Sequence, residues 1–305
     1  MKNNYRLDLV TTINIAGFLA VLGYSIYSLV CYSIEFNGHP FYGLPTMQPS
    51  FADLRQLTHS SGCSASIDEL LQNTSNCDPF SRIFNYTPFS LALLRLFNVD
   101  STSTSIIGLT MGIIAILASI FVFFREPSSG FNLKILCSTL FIGSFPFQLA
   151  LERGNYDLFI LILLILFSLF VSKSRRLSGV LATMTISLAA ISSFLLSALK
   201  IFPAVGITIW YFVQKPKNRI KREYLWTVCP AIVGVAIQLS YIPSILANTP
   251  KSTGGISFGL LALYQGITIR GITLWYVIIL IKLLVIFTTL YIYIRNISCS
   301  KHHFN

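Results

Sequence analysis

The apolar runs of this chain, most of them about 20 residues long, restrict its fold more than any other feature, because a helix of that length crosses a bilayer hydrocarbon core of about 30 Å. Of the 305 residues, 54% are hydrophobic and 11% are charged, whereas a soluble domain carries about 25% charged residues. The sequence therefore predicts an all-α integral membrane protein. It would be a polytopic bundle of transmembrane helices that forms one membrane-embedded domain over residues 1–305.

Eight membrane spans are predicted from these runs. The first is too long for the apolar region of a signal peptide and has no small-residue cleavage site, so a signal anchor is expected. The sixth is short, begins directly after Lys200 and is expected to be broken or tilted around Pro203. The predicted spans lie near residues 9–31, 104–124, 131–151, 156–172, 178–199, 201–213, 224–247 and 271–294.

The Lys and Arg residues flank the spans unequally, which predicts the orientation of the protein. With the N-terminus in the cytoplasm, about twice as many of them fall on the cytoplasmic side as on the external side, the excess that cytoplasmic loops carry. The densest cluster, at 215–222, is then cytoplasmic and suited to contact with anionic lipid. Both termini are predicted to be cytoplasmic, and the net charge of +11 reflects topology rather than binding to nucleic acid.

The first predicted external loop, residues 32–103, is far longer than a simple connection, and loops of that length are usually functional. Its segment 64–73 has a weak helical pattern, so we expect short amphipathic helices that lie on the membrane. Cys63 and Cys77 both belong to this loop. Outside the cytoplasm a disulfide between them would close a loop of about 15 residues and contribute about 3 kcal/mol; two unpaired thiols are the alternative.

Four polar or charged residues stand close together at the junction of two predicted spans: Glu152, Arg153, Asn155 and Asp157. Charge so near to hydrocarbon is costly and usually marks a substrate or ion site. The alternative is that Glu152 and Arg153 pair with each other as a topological signal at a helix end.

The predicted topology brings separate segments to the external face: the loop 32–103, the turn 152–157, Lys200 and a second external loop at 248–270. Acids, bases and amides gathered from several loops are what an active site at a membrane face needs. Lys200 has an alternative role, because a lysine beside a span can extend its amine to the interface without binding a ligand.

Sequence motifs within these segments resemble a known family. They are PSFADLR at 49–55, FNYTP at 84–88, ERGNYD at 152–157 and ALKIFP at 198–203. In this order and spacing they resemble the polytopic glycosyltransferases of the GT-C superfamily, in particular glycosyltransferase family 87, the polyprenyl-phosphate-mannose-dependent mannosyltransferases. The resemblance covers roughly residues 9–215.

The resemblance implies a membrane glycosyltransferase that moves a hexose, in the first instance mannose, from a polyprenyl-phosphate donor to a lipid or glycan acceptor on the external face. By position it assigns the role of catalytic base to Asp53, and it aligns Asn155 and Lys200 with an amide and a lysine of the family. A positioned carboxylate base typically contributes a factor of about 10² to 10⁴ to the rate.

Other residues of these segments have the chemistry to bind the donor. Arg153, Lys200 and Arg270 are candidates to meet the phosphate leaving group as its negative charge develops. Glu152 is expected either to orient Arg153 or to bind a sugar hydroxyl. Asn155 is expected either to bind the donor or to cap the fourth span.

Neither a metal nor another cofactor is expected, because the four histidines show no metal-ligand spacing and the chain has no Gly-rich phosphate loop. The expected partners are membrane lipid, the lipid-linked sugar and its acceptor, in a bacterial inner membrane; the oligomeric state is not predicted. One alternative to the enzyme is a non-catalytic or truncated partner subunit of a glycan-assembly complex. Another is a transporter, which the lack of an internal repeat and the concentration of charge at one face disfavour.

Overall fold

The computed structural model describes residues 9–34, 50–72, 77–78, 84, 86–125, 129–200, 202–213 and 220–244. Helices joined by turns make up this part of the chain, and no strand occurs within it. The helices are α1 (Leu9–Ser33), α2 (Ala52–Gly62), α3 (Ile67–Leu71), α4 (Pro88–Leu96), α5 (Thr104–Arg125), α6 (Phe131–Ile142), α7 (Phe145–Arg153), α8 (Asp157–Ser174), α9 (Gly179–Leu199), α10 (Phe202–Val213) and α11 (Ile220–Ala236). The predicted loop 248–270, with Arg270, and the predicted span 271–294 lie outside the described residues.

Five segments within the described residues are long and apolar enough to cross a membrane: Leu9–Ser33, Ser101–Arg125, Asp157–Ser174, Gly179–Leu199 and Leu225–Ser244. Large apolar side chains are exposed along them, as expected where a helix faces lipid rather than water. Within the described residues this confirms the predicted all-helical fold, and the apolar helices indicate a membrane-embedded protein. The predicted sixth span is α10, whose 12 residues fall short of the roughly 20 that a straight crossing requires.

The predicted third span, 131–151, is two helices rather than one. α6 and α7 meet at a bend of 51°, and together they make a sixth candidate span if they cross as one broken helix. Pro146 lies in the first turn of α7, where its missing N–H is tolerated. Gln148 donates from Nε2 to the carbonyl oxygen of Ile142 at 2.8 Å and to Ser25 Oγ at 2.6 Å. A carbonyl freed by the break is therefore satisfied inside the bundle.

α2 does not lie on the surface of the bundle, because it packs among α4, α5 and α7. Seven of its 11 residues are buried, which leaves no broad apolar face for lipid. A short hydroxyl side chain can be buried where it meets a partner on another helix. Thr58 Oγ1, for example, shares a hydrogen bond of 2.6 Å with Thr104 Oγ1 at the start of α5.

Two links hold the segment that follows α2. Cys63 and Cys77 form a disulfide with their Cα atoms 5.8 Å apart. Arg95, in the last turn of α4, donates from Nη2 to the carbonyl oxygens of Cys63 at 2.9 Å and Ala65 at 2.7 Å. The chain after α2 is thereby tied to α4, although α3 is only five residues long.

The buried apolar side chains form two clusters, and α2 contributes to both. One cluster joins α1, α5 and α7, and the other joins α8, α9 and α11. Phe51 and Leu54 belong to the first cluster, whereas Leu57 belongs to the second. Because α2 packs into both, the residue at its start is held where α7 turns into α8.

Candidate functional site

Asp53 and Arg153 form an ion pair that joins two segments 100 positions apart. Arg153 approaches with two donors: Nε donates to Asp53 Oδ2 at 2.9 Å, and Nη2 donates to Oδ1. The side chains of Arg153 and Asp53 are 16% and 14% exposed. A bidentate pair in a partly buried position fixes the orientation of both groups more firmly than a single contact would.

A backbone hydrogen bond sets the start of α2 beside this pair. Phe51, which precedes α2, has φ of +55°, a conformation that an aromatic residue rarely adopts. Its N–H donates to the carbonyl oxygen of Glu152 at 2.9 Å. The Phe51 side chain is fully buried, and a Cβ added to Gly108 of α5 would lie 2.7 Å from its ring. The ring therefore fills space that only a glycine leaves open.

Gly154 ends α7 and allows α2 to come close. Its φ of +57° is in the left-handed region, which glycine adopts without strain. A Cβ at this position would lie 3.0 Å from Phe51 Cβ and 3.1 Å from Leu54 Cβ. Both the backbone conformation and the approach of α2 thus depend on glycine at 154.

Asn155 connects the ion pair to the start of α8. Its Nδ2 donates to Asp53 Oδ2 at 3.1 Å, and its Oδ1 accepts from the backbone N–H of Asp157 at 2.8 Å. One amide therefore does two things: it orients the Asp53 carboxylate and satisfies an N–H at the first turn of α8. The second contact agrees with the expected capping of the fourth span, and donor binding by Asn155 stays a prediction.

Lys200 pairs with Asp157. Its Nζ donates to Asp157 Oδ1, and the two side chains are 29% and 44% exposed. Lys200 follows the last residue of α9 in an extended conformation, with φ of −147° and ψ of 142°. α10 begins two residues later. The break between the fifth and sixth predicted spans thus places a lysine amine beside the turn 152–157.

Tyr86 also borders the site, although sequence reasoning gave it no role. Its hydroxyl donates to the backbone carbonyl oxygen of Asp53 at 3.1 Å. Its ring meets the ring of Tyr156 edge to face, with the centroids 6.3 Å apart. Tyr156 is buried, and its hydroxyl forms a hydrogen bond with Ser90. The only sequence signal for a role of Tyr86 at the site was its place in the motif at 84–88.

The predicted site residues that the structure describes lie close to one another. Asp53, Arg153, Asn155 and Lys200 belong to one continuous network, which Asp157 completes. Glu152 is 2% exposed and interacts electrostatically with both Arg153 and Tyr32 of α1.

The network carries two cations, two carboxylates and one amide at one end of the helix bundle. The cations are already neutralised by the carboxylates, so the network has no net charge as it stands. Such an arrangement can bind an anion through the cations or accept a proton through a carboxylate, once a ligand rearranges the pairs. Within the described residues no group of three or more His, Cys, Asp or Glu side chains is placed to hold a metal ion.

Comparisons of this chain with protein-family models, with curated proteins and with solved structures found no match.

Proposed function

We propose that this protein is an integral membrane glycosyltransferase of GT-C type with about eight spans. It would move a hexose, in the first instance mannose, from a polyprenyl-phosphate donor to a lipid or glycan acceptor on the external face of a bacterial inner membrane. One observation supports this proposal: Asp53, Asn155 and Lys200, which the family resemblance singled out from three separate segments, belong to one hydrogen-bonded network with Arg153.

The roles in this reaction follow from the chemistry of each group. Asp53 accepts the proton of the acceptor hydroxyl while the acceptor oxygen forms its bond to the anomeric carbon. The bond between that carbon and the phosphate oxygen breaks, and the polyprenyl phosphate leaves with the bonding electrons. Arg153 and Lys200 meet the charge that develops on the phosphate. Asn155 keeps the Asp53 carboxylate oriented throughout.

A non-catalytic partner subunit of a glycan-assembly complex is the second candidate, and one observation favours it. Both oxygens of Asp53 accept hydrogen bonds, from Arg153 on both and from Asn155 on Oδ2. A carboxylate held in this way can be a structural link between α2 and the turn after α7. The two candidates differ in whether replacing Asp53 removes an activity or only weakens the fold.

The test is a transfer assay on the full-length protein in lipid nanodiscs, with radiolabelled polyprenyl-phosphate mannose and glucose as donors and membrane extract as the source of acceptors. Asp53→Asn is expected to reduce transfer by a factor of about 10² to 10⁴, the usual contribution of a positioned base. Asp68→Asn is the matched control, because it removes an exposed acid from the same loop. Thermal unfolding of each variant shows whether it is folded.

Transfer by the wild type and by Asp68→Asn, with loss in folded Asp53→Asn, would support the enzyme and its base. No transfer by folded wild-type protein with either donor would contradict the proposal. Co-purification with a second membrane protein that restores transfer to both the wild type and Asp53→Asn would then favour the partner subunit.

A further inference from the structure

In the two ion pairs of the site, Arg153 and Lys200 contact carboxylate oxygens in the way that they would contact the oxygens of a bound phosphate. A phosphate presents pairs of oxygens much as a carboxylate does, and arginine binds either group through two parallel N–H donors. In this protein Arg153 gives both its Nε and its Nη2 to Asp53, and Lys200 gives its Nζ to Asp157. The carboxylates thus occupy the positions on the cations that phosphate oxygens need.

The side chains of both ion pairs are partly exposed, and the pair of Lys200 with Asp157 is more exposed than the pair of Arg153 with Asp53. Lys200 and Asp157 are 29% and 44% exposed, whereas Arg153 and Asp53 are 16% and 14% exposed. An ion pair with solvent access is weak, since water and salt compete with it. The pair between Lys200 and Asp157 is therefore the easier one for an anion to open.

We propose that Asp157 and Asp53 are internal substitutes for phosphate, and that a phosphate-bearing ligand binds by exchanging with them. Lys200 moves first from Asp157 to the phosphate, and Arg153 then moves from Asp53. Asp157 is thus a positioning residue that acts through Lys200. This deepens the proposed function and rests on it for the choice of a polyprenyl phosphate as the ligand.

Asn155 makes the exchange useful for catalysis. When Arg153 leaves, Asp53 Oδ2 keeps its hydrogen bond from Asn155 Nδ2, so the carboxylate loses a cation without losing its orientation. The other end of the same amide holds the backbone of Asp157 and leaves its side chain able to turn. Asp53 is then released as a base only when phosphate has entered, so that the donor itself prepares the site.

The exchange predicts that an aspartate of the site weakens phosphate binding. A ligand that must first open an ion pair binds only the fraction of molecules in which the pair is open. For a pair with the exposure of Lys200 and Asp157, removing the competing carboxylate is expected to tighten binding by about 3- to 6-fold. If Asp157 merely held Lys200 in a binding position, its removal would weaken binding instead.

The experiment measures equilibrium binding of farnesyl phosphate and of inorganic phosphate to the full-length protein in nanodiscs of zwitterionic lipid. Asp157→Asn is expected to bind farnesyl phosphate about 3- to 6-fold more tightly than the wild type. Asp157→Glu, which keeps the carboxylate, and Asp68→Asn, which removes an exposed acid of the loop, are expected to bind like the wild type. Lys200→Gln combined with Asp157→Asn is expected to lose the gain.

A gain with farnesyl phosphate alone supports exchange with a lipid-borne phosphate, and an equal gain with inorganic phosphate supports exchange with a free one. Unchanged or weaker binding by folded Asp157→Asn overturns the exchange, and so does binding of neither probe. The proposed function is tested separately. Tighter binding by Asp157→Asn without any transfer by the wild type would support the exchange and refute the glycosyltransferase activity. Transfer by the wild type without tighter binding by Asp157→Asn would support the activity and refute the exchange.

Discussion

Replacing Gly154 by alanine is expected to push α2 away from the turn between α7 and α8, and so to weaken the pair of Asp53 with Arg153. A left-handed backbone costs a residue with a Cβ about 1 to 2 kcal/mol. The new Cβ would also lie 3.0 Å from Phe51 Cβ and 3.1 Å from that of Leu54, and overfilling a packed site costs about 1 to 3 kcal/mol. The expected loss in free energy of unfolding is therefore about 2 to 5 kcal/mol.

Gly179 offers a matched control for the backbone contribution. Its φ of +62° is nearly that of Gly154, but no atom lies within 4 Å of an added Cβ. Gly179→Ala should therefore lose only the backbone contribution, about 1 to 2 kcal/mol. The difference between the two variants measures how closely α2 packs on the turn.

The assay is unfolding of each variant by SDS in mixed micelles, followed by far-UV circular dichroism, with the free energy extrapolated to zero denaturant. Equal losses for Gly154→Ala and Gly179→Ala would refute the reasoning, because they would mean that α2 does not press on position 154. If the losses differ as expected, Gly154→Ala should also impair the proposed transfer reaction, since a displacement of about 1 Å at a reacting group can cost about 100-fold in rate.

Two further predictions concern other parts of the fold. Gly234→Ala should destabilise the contact of α11 with α9 by about 3 kcal/mol, because its Cβ would lie 2.7 Å from the backbone oxygen of Phe194, which cannot rotate away. Gly206→Ala, with nothing within 4 Å, should cost nothing in the same SDS titration, and equal losses would contradict the prediction. Glu69 has its pKa lowered by the backbone N–H of Ser66, so its stabilisation of α3 is present above pH 4.5 and is lost as the pH falls through the lowered pKa. Hydrogen exchange of the α3 amides, corrected for the intrinsic effect of pH, should show this loss in the wild type and not in Glu69→Gln, and identical profiles would count against it.

The positions of the membrane helices were largely predictable because apolar length alone decides them. The predicted spans 104–124 and 178–199 correspond to α5 (Thr104–Arg125) and α9 (Gly179–Leu199) within one residue at each end. A long apolar segment that enters a bilayer has to satisfy its own backbone, and the helix does so with bonds between near neighbours. The break within 131–151 was not predicted, because it depends on a side chain that reaches another helix: Gln148 bonds Ser25 of α1 as well as the free carbonyl of its own span.

The burial of α2 could not be predicted from its local sequence pattern. Its sequence contains several hydroxyl side chains, yet most of the helix is buried among other helices. Thr58 finds Thr104 46 positions away, and no short-range pattern can reveal such a partner. Burial of polar side chains is decided by which groups meet across helices, and that is a property of the assembled bundle.

The candidate site, too, was predictable from the sequence only in part. The sequence by itself determined that charged and amide side chains stand at the ends of apolar spans, because their cost near hydrocarbon makes them conspicuous. Only the tertiary structure decided the partners, joining Asp53 to Arg153 and Lys200 to Asp157. The physical reason is close approach: the missing side chain of Gly154 lets Phe51 and Leu54 of the α2 segment come within contact of the turn. A sequence records that a glycine is present, but the distance it permits between two segments exists only in the folded chain.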